Sequence, residues 1–249
     1  MRVLVIDTSL PCATVALVRL EDRHGYFQPV DYAHVFLRSR PGHAEQLLER
    51  VTLVLESTGV TLSDVDLLVL GRGPGTFTGL RIGFATAKGL HLASGIPLVA
   101  VSSLSAIACS AHLDGTVLSL MDARRGELYM GLFRVRRFHG VWQAEPLGDE
   151  RVVRPADVPE VLAAAGVALP VFPVGDGVTA CGDVLGLPDE GPSPCATAPD
   201  VCAMAVAGAQ IVAERGPDNA ALLEPVYLRE PDAKLPAGSI QGPMADTGK

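Results

Sequence analysis

Residues 71–94 read Gly-Arg-Gly-Pro-Gly-Thr-Phe-Thr-Gly-Leu-Arg-Ile-Gly-Phe-Ala-Thr-Ala-Lys-Gly-Leu-His-Leu-Ala-Ser. They follow a run rich in apolar residues, 65–70, that predicts a buried strand. The glycines predict a loop, and the small residues after it predict the helix that the loop opens. A glycine-rich loop before a helix is typical of phosphate sites, because the free N–H groups of the first helical turn attract anions.

The loop departs from the known phosphate-binding motifs. It lacks the Gly-Lys-Ser/Thr ending of a Walker loop, and it does not match the Gly-x-Gly-x-x-Gly dinucleotide pattern. Phe77 is also too large for a tight phosphate cradle. The helix start at Thr78 and Gly79 keeps anion binding open as an alternative, but the stretch favours a packing surface for another protein.

The helix predicted over residues 80–94 carries two kinds of surface. Each glycine in its interior costs about 1 kcal/mol relative to alanine, and the close approach of another backbone can offset that cost. That backbone belongs either to the chain's own sheet or to a partner helix. Phe84, Lys88 and His91 form a second stripe, which we expect to meet the partner while the small face meets the sheet. The small residues are Gly83, Ala85, Ala87, Gly89 and Ala93.

The chain opens with a predicted hairpin. Residues 3–6 are apolar and predict a buried strand, and residues 13–20 predict its returning partner. Asp7-Thr8-Ser9 closes the first strand. In an ATPase, an aspartate at this place would hold a metal-bound water, whereas in a turn it accepts hydrogen bonds from local N–H groups. The residue types favour the turn, since Asp, Thr and Ser are common in turns.

The elements that follow alternate between strands and helices. Leu47, Val51 and Val54 recur at helical spacing and predict a helix over residues 43–57. The β-β-β-α-β-α-β order that results is typical of a mixed sheet covered by helices. The further strands of this order are predicted at residues 32–37, 65–70 and 98–101.

Residues 116–135 repeat the strand–turn–strand pattern of residues 1–20, which indicates a duplicated unit. Asp122, Arg124 and Arg125 lie in the turn of this second hairpin. They form either a polar contact with a nucleotide or a partner, or a solvated turn, and turns of this kind are most often solvated.

The pattern weakens after Trp142. Asp200 is the predicted N-cap of a helix over residues 201–215. The last residues are poor in apolar side chains, so we expect a flexible tail.

We divide the chain into a first subdomain over residues 1–108, completed by residues 216–229, and a second over residues 109–215. The other predictions are a helix at 156–165, a strand at 171–174, a loop at 186–199, an ordered segment at 225–229 and the flexible tail at 230–249.

The composition restricts the class of protein. The 249 residues are 48% apolar and 19% charged, which is typical of a globular chain. The net charge of −8, with no Lys/Arg run longer than two, argues against a protein that binds RNA by itself. No segment suits a membrane span. Five cysteines without a Cys-x-x-Cys pair indicate reduced thiols in a cytoplasmic protein.

No catalytic or metal motif is found in the sequence. The six histidines contain no pair at a spacing of four and no His-Glu-x-x-His. No Gly-x-Ser-x-Gly elbow is present. The sequence therefore predicts no catalytic residue, no metal ligand and no cofactor.

Four short segments of the sequence, taken in their order along the chain, indicate a known family. They are Ile6-Asp7-Thr8-Ser9, the glycine-rich residues 73–83, Met121-Asp122-Ala123-Arg124-Arg125-Gly126-Glu127-Leu128-Tyr129, and Pro225-Val226-Tyr227-Leu228-Arg229. With them the sequence resembles the TsaB (YeaZ) family, which takes part in threonylcarbamoyladenosine formation in tRNA. The resemblance implies an α/β fold of two ribonuclease-H-like units, as in the actin and sugar-kinase (ASKHA) superfamily, with mixed sheets flanked by helices.

The resemblance also implies partners. TsaB-like proteins bind a catalytic TsaD-like subunit, work with a TsaE-like ATPase, and form homodimers through the surface that TsaD uses. tRNA is then reached only through the complex. A TsaD-like chain has a His-x-x-x-His metal pair where this sequence has Ser103 and Ile107. Isoleucine cannot ligate a metal, so the resemblance implies a chain without catalysis of its own.

Three hypotheses follow. The first is a non-catalytic subunit that docks through the helices at residues 43–57 and 78–94. The second is a stand-alone ATPase or kinase of the same fold, based on residues 7–9 and 71–79. The third is a metallopeptidase, after an older grouping of the family. Under the first hypothesis, the predicted interface residues are Leu48, Val51, Leu55, Phe77, Arg81, Phe84, Lys88 and His91.

Overall fold

A five-stranded mixed sheet forms the first half of the molecule in the computed structural model, which describes residues 1–38, 44–167, 171–185 and 198–229. Its strands lie in the order β3-β2-β1-β4-β5. The first three pair antiparallel, whereas β4 runs parallel to β1 and β5 runs parallel to β4. The strands are β1 (Arg2–Asp7), β2 (Cys12–Arg23), β3 (Tyr26–Arg38), β4 (Leu67–Gly71) and β5 (Leu98–Val101).

A second mixed sheet repeats this plan. Its strands are β6 (Gly115–Arg124), β7 (Glu127–Phe138), β8 (Val141–Pro146), β9 (Arg151–Val153) and β10 (Phe172–Val174). They lie in the order β10-β6-β7-β8, with β9 also paired to β7. In each sheet a parallel strand lies beside the first strand of a central hairpin. This repeat confirms the predicted α/β fold with two mixed sheets flanked by helices.

Helices cover both sheets. All four predicted helices are confirmed, and the last of them begins at its predicted N-cap, where the Asp200 side chain accepts a hydrogen bond from Ala203 N at 2.9 Å. None of the helices in the described ranges has the length and hydropathy needed to cross a bilayer. The helices are α1 (Ala44–Thr58), α2 (Phe77–Ser94), α3 (Ser103–Cys109), α4 (Val158–Ala164), α5 (Gly182–Leu185) and α6 (Val201–Arg215).

The apolar side chains of each central strand alternate between two core clusters, one on each face of the sheet. On β1, Val3 and Val5 join the apolar cluster beneath α6, while Leu4 and Ile6 join the cluster beneath α1 and α2. Successive side chains of a strand point to opposite faces, so an unbroken apolar run requires cover on both sides. The second sheet is covered in the same way, by α3 on one face and α4 on the other.

The segment after α6 contacts both halves. Asp218 Oδ2 accepts a hydrogen bond from Ala100 N at 2.8 Å. Val226 N donates to Arg72 O at 2.9 Å, and Arg229 Nη1 donates to Ala123 O at 3.2 Å. The predicted ordered segment at 225–229 is therefore held by specific contacts. The subdomain boundaries stay a prediction, and the predicted tail at 230–249 and most of the predicted loop at 186–199 lie outside the described residues.

Candidate functional site

A buried carboxylate lies at the end of β1. Asp7 is 1% exposed, and it accepts hydrogen bonds from Ser9 N at 2.9 Å, Ser9 Oγ at 2.6 Å and Ser103 Oγ at 2.6 Å. Burial raises the pKa of the Asp7 carboxyl, and these hydrogen bonds offset part of the rise. The bond from Ser9 N confirms that Asp7 caps its turn. The contact with Ser103 spans 96 positions, and no local pattern of the sequence predicts it.

The glycine loop closes over this carboxylate. A Cβ at Gly71 would lie 1.8 Å from Asp7 Oδ2, so a glycine is needed there. Gly73 N donates to Ser103 Oγ at 3.2 Å, which holds the loop against the start of α3. A metal-bound water would have to reach Asp7 through space that these atoms already fill. The arrangement therefore does not fit the role of aspartate in an ATPase.

The small residues of the loop and of α2 pack against the turn that follows β1. A Cβ at Gly75 would lie 2.5 Å from Ser9 Cα, one at Gly79 would lie 2.2 Å from Thr8 O, and one at Gly83 would lie 2.3 Å from Thr8 Oγ1. Thr8 Oγ1 donates to Gly79 O at 2.8 Å. This face of α2 and the loop before it thus meet the chain itself, at the turn that follows β1.

The two positions at which the family resemblance implies a metal-binding histidine pair in a TsaD-like chain lie on α3. Ser103 and Ile107 are both fully buried, and Ile107 belongs to the apolar cluster between α3 and the second sheet. A hydroxyl and a hydrocarbon do not make a pair of metal ligands, so these residues do not fit the metal of a TsaD-like chain. Across the described ranges, no group of three or more His, Cys, Asp or Glu side chains is arranged to hold a metal ion.

The turn of the second hairpin is held by its own polar groups. Asp122 accepts from Arg124 N at 2.7 Å and pairs with the Arg124 guanidinium at 3.0 Å. Asp176 Oδ1 accepts from Asp122 N at 3.0 Å, and burial raises the pKa of Asp176. Arg124 and Arg125 have positive φ angles of 66° and 56°. The exposed Arg124 side chain agrees with the solvated turn that was predicted.

The outward face of α2 is apolar at both ends and cationic between them. At 3.6 residues per turn, its members lie within about 60° of one another around the helix axis. Phe77 is 43% and Leu92 is 82% exposed. The Arg81 guanidinium carbon lies 3.8 Å from the centroid of the Phe77 ring, and the Tyr227 ring centroid lies 5.4 Å from it. This surface, named the α2 stripe, consists of Phe77, Arg81, Lys88 and Leu92.

Three predicted interface residues lie in the core instead of on the surface. Val51, Leu55 and Phe84 are 4%, 8% and 5% exposed, and all three belong to the apolar cluster beneath α1 and α2. The stripe predicted on α2 is rotated by roughly 40° from the exposed one, so it follows the edge of the buried face. His91 lies on this edge, half-buried, with Nδ1 2.7 Å from Ile96 O.

The remaining predicted interface residues reach solvent, and two further exposed leucines were not among the predicted ones. Leu48 is 49% exposed, while Lys88 is half-buried. Leu53, 50% exposed on α1, and Leu92 on α2 were not predicted. The signal that identifies such residues is a large apolar side chain that lies off the buried face of its helix.

Comparison with known proteins places the chain in a family. Residues 38–168, more than half of the chain, match the family model described as TsaD: tRNA N6-adenosine threonylcarbamoyltransferase. The tRNA threonylcarbamoyladenosine biosynthesis protein TsaB of Escherichia coli is 37% identical over 163 residues, which cover 64% of this chain and 65% of that protein, slightly less than two thirds.

Two further relatives match over most of the chain. The uncharacterized protein Mb3455c of Mycobacterium bovis is 35% identical over 232 residues, which cover 93% of each chain. The structure of YeaZ from Pseudomonas aeruginosa has a TM-score of 0.67 and 29% identity, and it covers 91% of this chain and 99% of its own. On this evidence, the chain belongs to the TsaB (YeaZ) family.

Proposed function

We propose that this chain is a non-catalytic subunit in the biosynthesis of threonylcarbamoyladenosine in tRNA. In this role it binds a TsaD-type transferase and supports transfer of a threonylcarbamoyl group to the adenosine next to the anticodon. The pathway is supported by the E. coli relative, which is named for it. The proposed place of action is the cytoplasm, where tRNA is available to such a complex.

The exposed α2 stripe carries the proposal. Leu92 is 82% exposed, although burial of a leucine side chain is favourable by about 2 kcal/mol. Leu48 and Leu53 add apolar surface on α1, which packs beside α2. Exposed apolar side chains on two neighbouring helices favour contact with another molecule at this side of the first sheet. Two helices that expose apolar residues suit pairing with the equivalent helices of a related chain.

Two features favour a partner as the source of the chemistry. Asp7 is closed off by Ser9, Ser103 and the backbone of Gly71. Ile107 provides hydrocarbon where a TsaD-like chain provides a metal ligand. A chain that keeps the fold but lacks both an accessible carboxylate and a ligand pair is suited to positioning a catalyst.

The proposed partners follow from shared architecture. The family model that matches residues 38–168 is that of TsaD itself, so a TsaD-type subunit offers equivalents of α1 and α2 as a docking surface. Without that subunit, a second copy of this chain takes its place and forms a homodimer. A TsaE-type ATPase joins the complex, and tRNA is modified only within it.

A binding measurement tests the docking surface. Titration calorimetry with a TsaD-type subunit should show that Leu92→Glu weakens association by on the order of 30-fold or more, because a charge replaces the most exposed apolar side chain of the α2 stripe. Leu147→Glu is the matched control, since Leu147 is 37% exposed on the second half of the molecule. Equal affinities for the two variants would contradict the placement of the interface.

Reconstitution tests the function itself. tRNA modification should depend on this chain when the TsaD-type and TsaE-type proteins are present. The isolated chain should show no stoichiometric ATP–Mg²⁺ binding in calorimetry and no stoichiometric zinc or iron in metal analysis. Tight nucleotide binding would instead support a stand-alone ATPase, and a bound metal would support a peptidase.

A further inference from the structure

Two hairpin tips from opposite halves of the molecule meet at one end. His24-Gly25 turns the β2–β3 hairpin and His139-Gly140 turns the β7–β8 hairpin, and all four residues have positive φ. The Tyr26 ring lies 4.2 Å from the His139 ring, between centroids. The hairpin-tip surface formed in this way consists of Arg23, His24, Tyr26, Arg136, Arg137, Phe138 and His139.

The aromatic rings of this surface are fixed in place but remain accessible. Tyr26 is 41% and Phe138 is 44% exposed, and their ring centroids lie 5.3 Å apart in an edge-on arrangement. Gln28 Nε2 donates to His139 O at 2.8 Å, which locks one tip to the other. The Arg137 guanidinium carbon lies 5.9 Å from the centroid of the Trp142 ring. The Tyr26, Phe138 and His139 rings, held by mutual contact outside the core, form a rigid platform.

The local charge is opposite to that of the whole chain. Residues 134–142 contain three arginines and no acidic residue, although the chain has a net charge of −8. On the other tip, Glu21 pairs with Arg23 at 3.1 Å, and Asp22 accepts a hydrogen bond from Gly25 N at 2.8 Å. The acidic side chains there are thus engaged locally, while Arg136 and Arg137 project into solvent.

We infer that the hairpin-tip surface contacts RNA, with an unpaired base stacked on the Tyr26 and Phe138 rings and the flanking phosphates bound by Arg136 on one face of β7 and Arg137 on the other. Accessible rings beside guanidinium groups are the chemistry that recognises unpaired nucleotides. A protein partner fits less well, because residues 21–28 and 134–142 expose no large aliphatic side chain, whereas α1 and α2 do. The identity of the RNA as tRNA rests on the proposed function, but the contact does not depend on binding of the TsaD-type subunit.

Photo-crosslinking tests the placement of RNA. A photoreactive benzoyl-phenylalanine replaces Tyr26 or Phe138 in the full chain, and Phe172, 43% exposed on β10, is the control position. Unmodified tRNA is added to the chain with and without the TsaD-type subunit. We expect RNA adducts from positions 26 and 138 at several times the yield from position 172. Adducts to protein alone, or equal RNA yields at all three positions, would overturn the inference.

Charge reversal gives an independent measurement. With labelled tRNA, Arg136→Glu combined with Arg137→Glu should weaken binding roughly tenfold and reduce the slope of log affinity against log salt by about 1.4 to 1.8. Arg151→Glu combined with Arg154→Glu is matched in charge and lies at the opposite end of β7. Equal losses of tRNA affinity in the two double variants would mean that the chain attracts RNA non-specifically. That result would reject the hairpin-tip surface as the RNA-binding site.

The same variants separate this inference from the proposed function. Association with the TsaD-type subunit should be unchanged in Arg136→Glu combined with Arg137→Glu. If that association fails for the wild-type chain as well, the proposed function fails, and titration of the isolated chain with tRNA still decides the RNA contact. A loss of subunit association without a loss of RNA binding would make the hairpin tips a protein interface instead.

Discussion

At the scale of a single residue, Asp7 stands where an ATPase has an aspartate that holds a metal-bound water. In this chain its carboxylate instead caps the turn after β1. Its carboxylate accepts hydrogen bonds from Ser9 and Ser103 in a place that water does not reach. Burial raises its pKa above the ordinary value of 3.8, so the folded chain holds the Asp7 proton more tightly than the unfolded chain does. The contribution of Asp7 to stability is therefore complete below pH 3.8 and is lost as pH rises through the folded pKa.

Asp7→Asn is expected to remove this pH dependence. Asparagine keeps the shape of the side chain without its charge, so the variant should match the wild type at about pH 3.5 and exceed its stability at about pH 7. Urea unfolding across this range measures the difference. Asp149→Asn, an exposed carboxyl, should leave the profile unchanged. A wild type that is more stable at pH 7 would show that the ionised Asp7 is stabilised.

Gly71→Ala tests the close approach of the glycine loop. The added Cβ would overlap Asp7 Oδ2 at 1.8 Å, so we expect a loss of about 3 kcal/mol or more in the free energy of unfolding. Combining it with Asp7→Ala should recover part of that loss, because the obstructing atoms are removed. Gly89→Ala is the control, since no atom lies within 4 Å of its Cβ position, and it should stabilise α2 by about 0.5–1 kcal/mol.

At the scale of an element, the sequence pattern predicts the helix α2 but does not determine which side of it is buried. Its small residues lie on both faces, with Gly83 against Thr8 and Gly89 in open space. The contact with Thr8, 71 positions from its hydrogen-bonded partner Gly79, sets the orientation. In α1 the spacing of Leu47, Val51 and Val54 predicted the helix correctly, and these three side chains are buried.

α3 is a helix that the sequence pattern did not predict at all. Leu104, Ala106, Ile107 and Ala108 are all buried, because the helix is enclosed between the two halves of the molecule and packs on both β8 and α6. A helix that is buried on nearly every side has no amphipathic period, so hydrophobic periodicity does not reveal its bounds. The meeting of the two hairpin tips was likewise beyond prediction, since it joins residues about half a chain apart.

The two sides of α2 should respond differently to truncation. Phe84→Ala is expected to lower the free energy of unfolding by about 3–5 kcal/mol, because it leaves a cavity in the core. Leu92→Ala should change it by less than about 0.5 kcal/mol, since Leu92 is 82% exposed. Urea unfolding of both variants at one pH gives the comparison. Similar losses would mean that Leu92 is buried in solution.

At the scale of the whole molecule, the segment after α6 joins the two halves. Leu223 packs on the cluster beneath α1 and α2, and Leu228 packs on the cluster between α3 and the second sheet. Arg229 adds an ion pair with Glu127 at 3.5 Å. A segment that contacts both cores makes the unfolding of one half costly for the other, so the wild-type chain should unfold in a single transition.

A chain that ends at Gly216 should lose this coupling. Trp142, the single tryptophan, reports on the second sheet, while far-UV circular dichroism reports on both halves. In the wild type the two signals should follow one urea transition, whereas in the shortened chain they should separate, with stability lower by about 3 kcal/mol from the lost leucine and hydrogen-bond contacts. A chain ending at Arg229 keeps these contacts, and as the control it should behave as the wild type. Coincident transitions in the shortest chain would mean that the halves are coupled directly, through α3 and the hairpin tips.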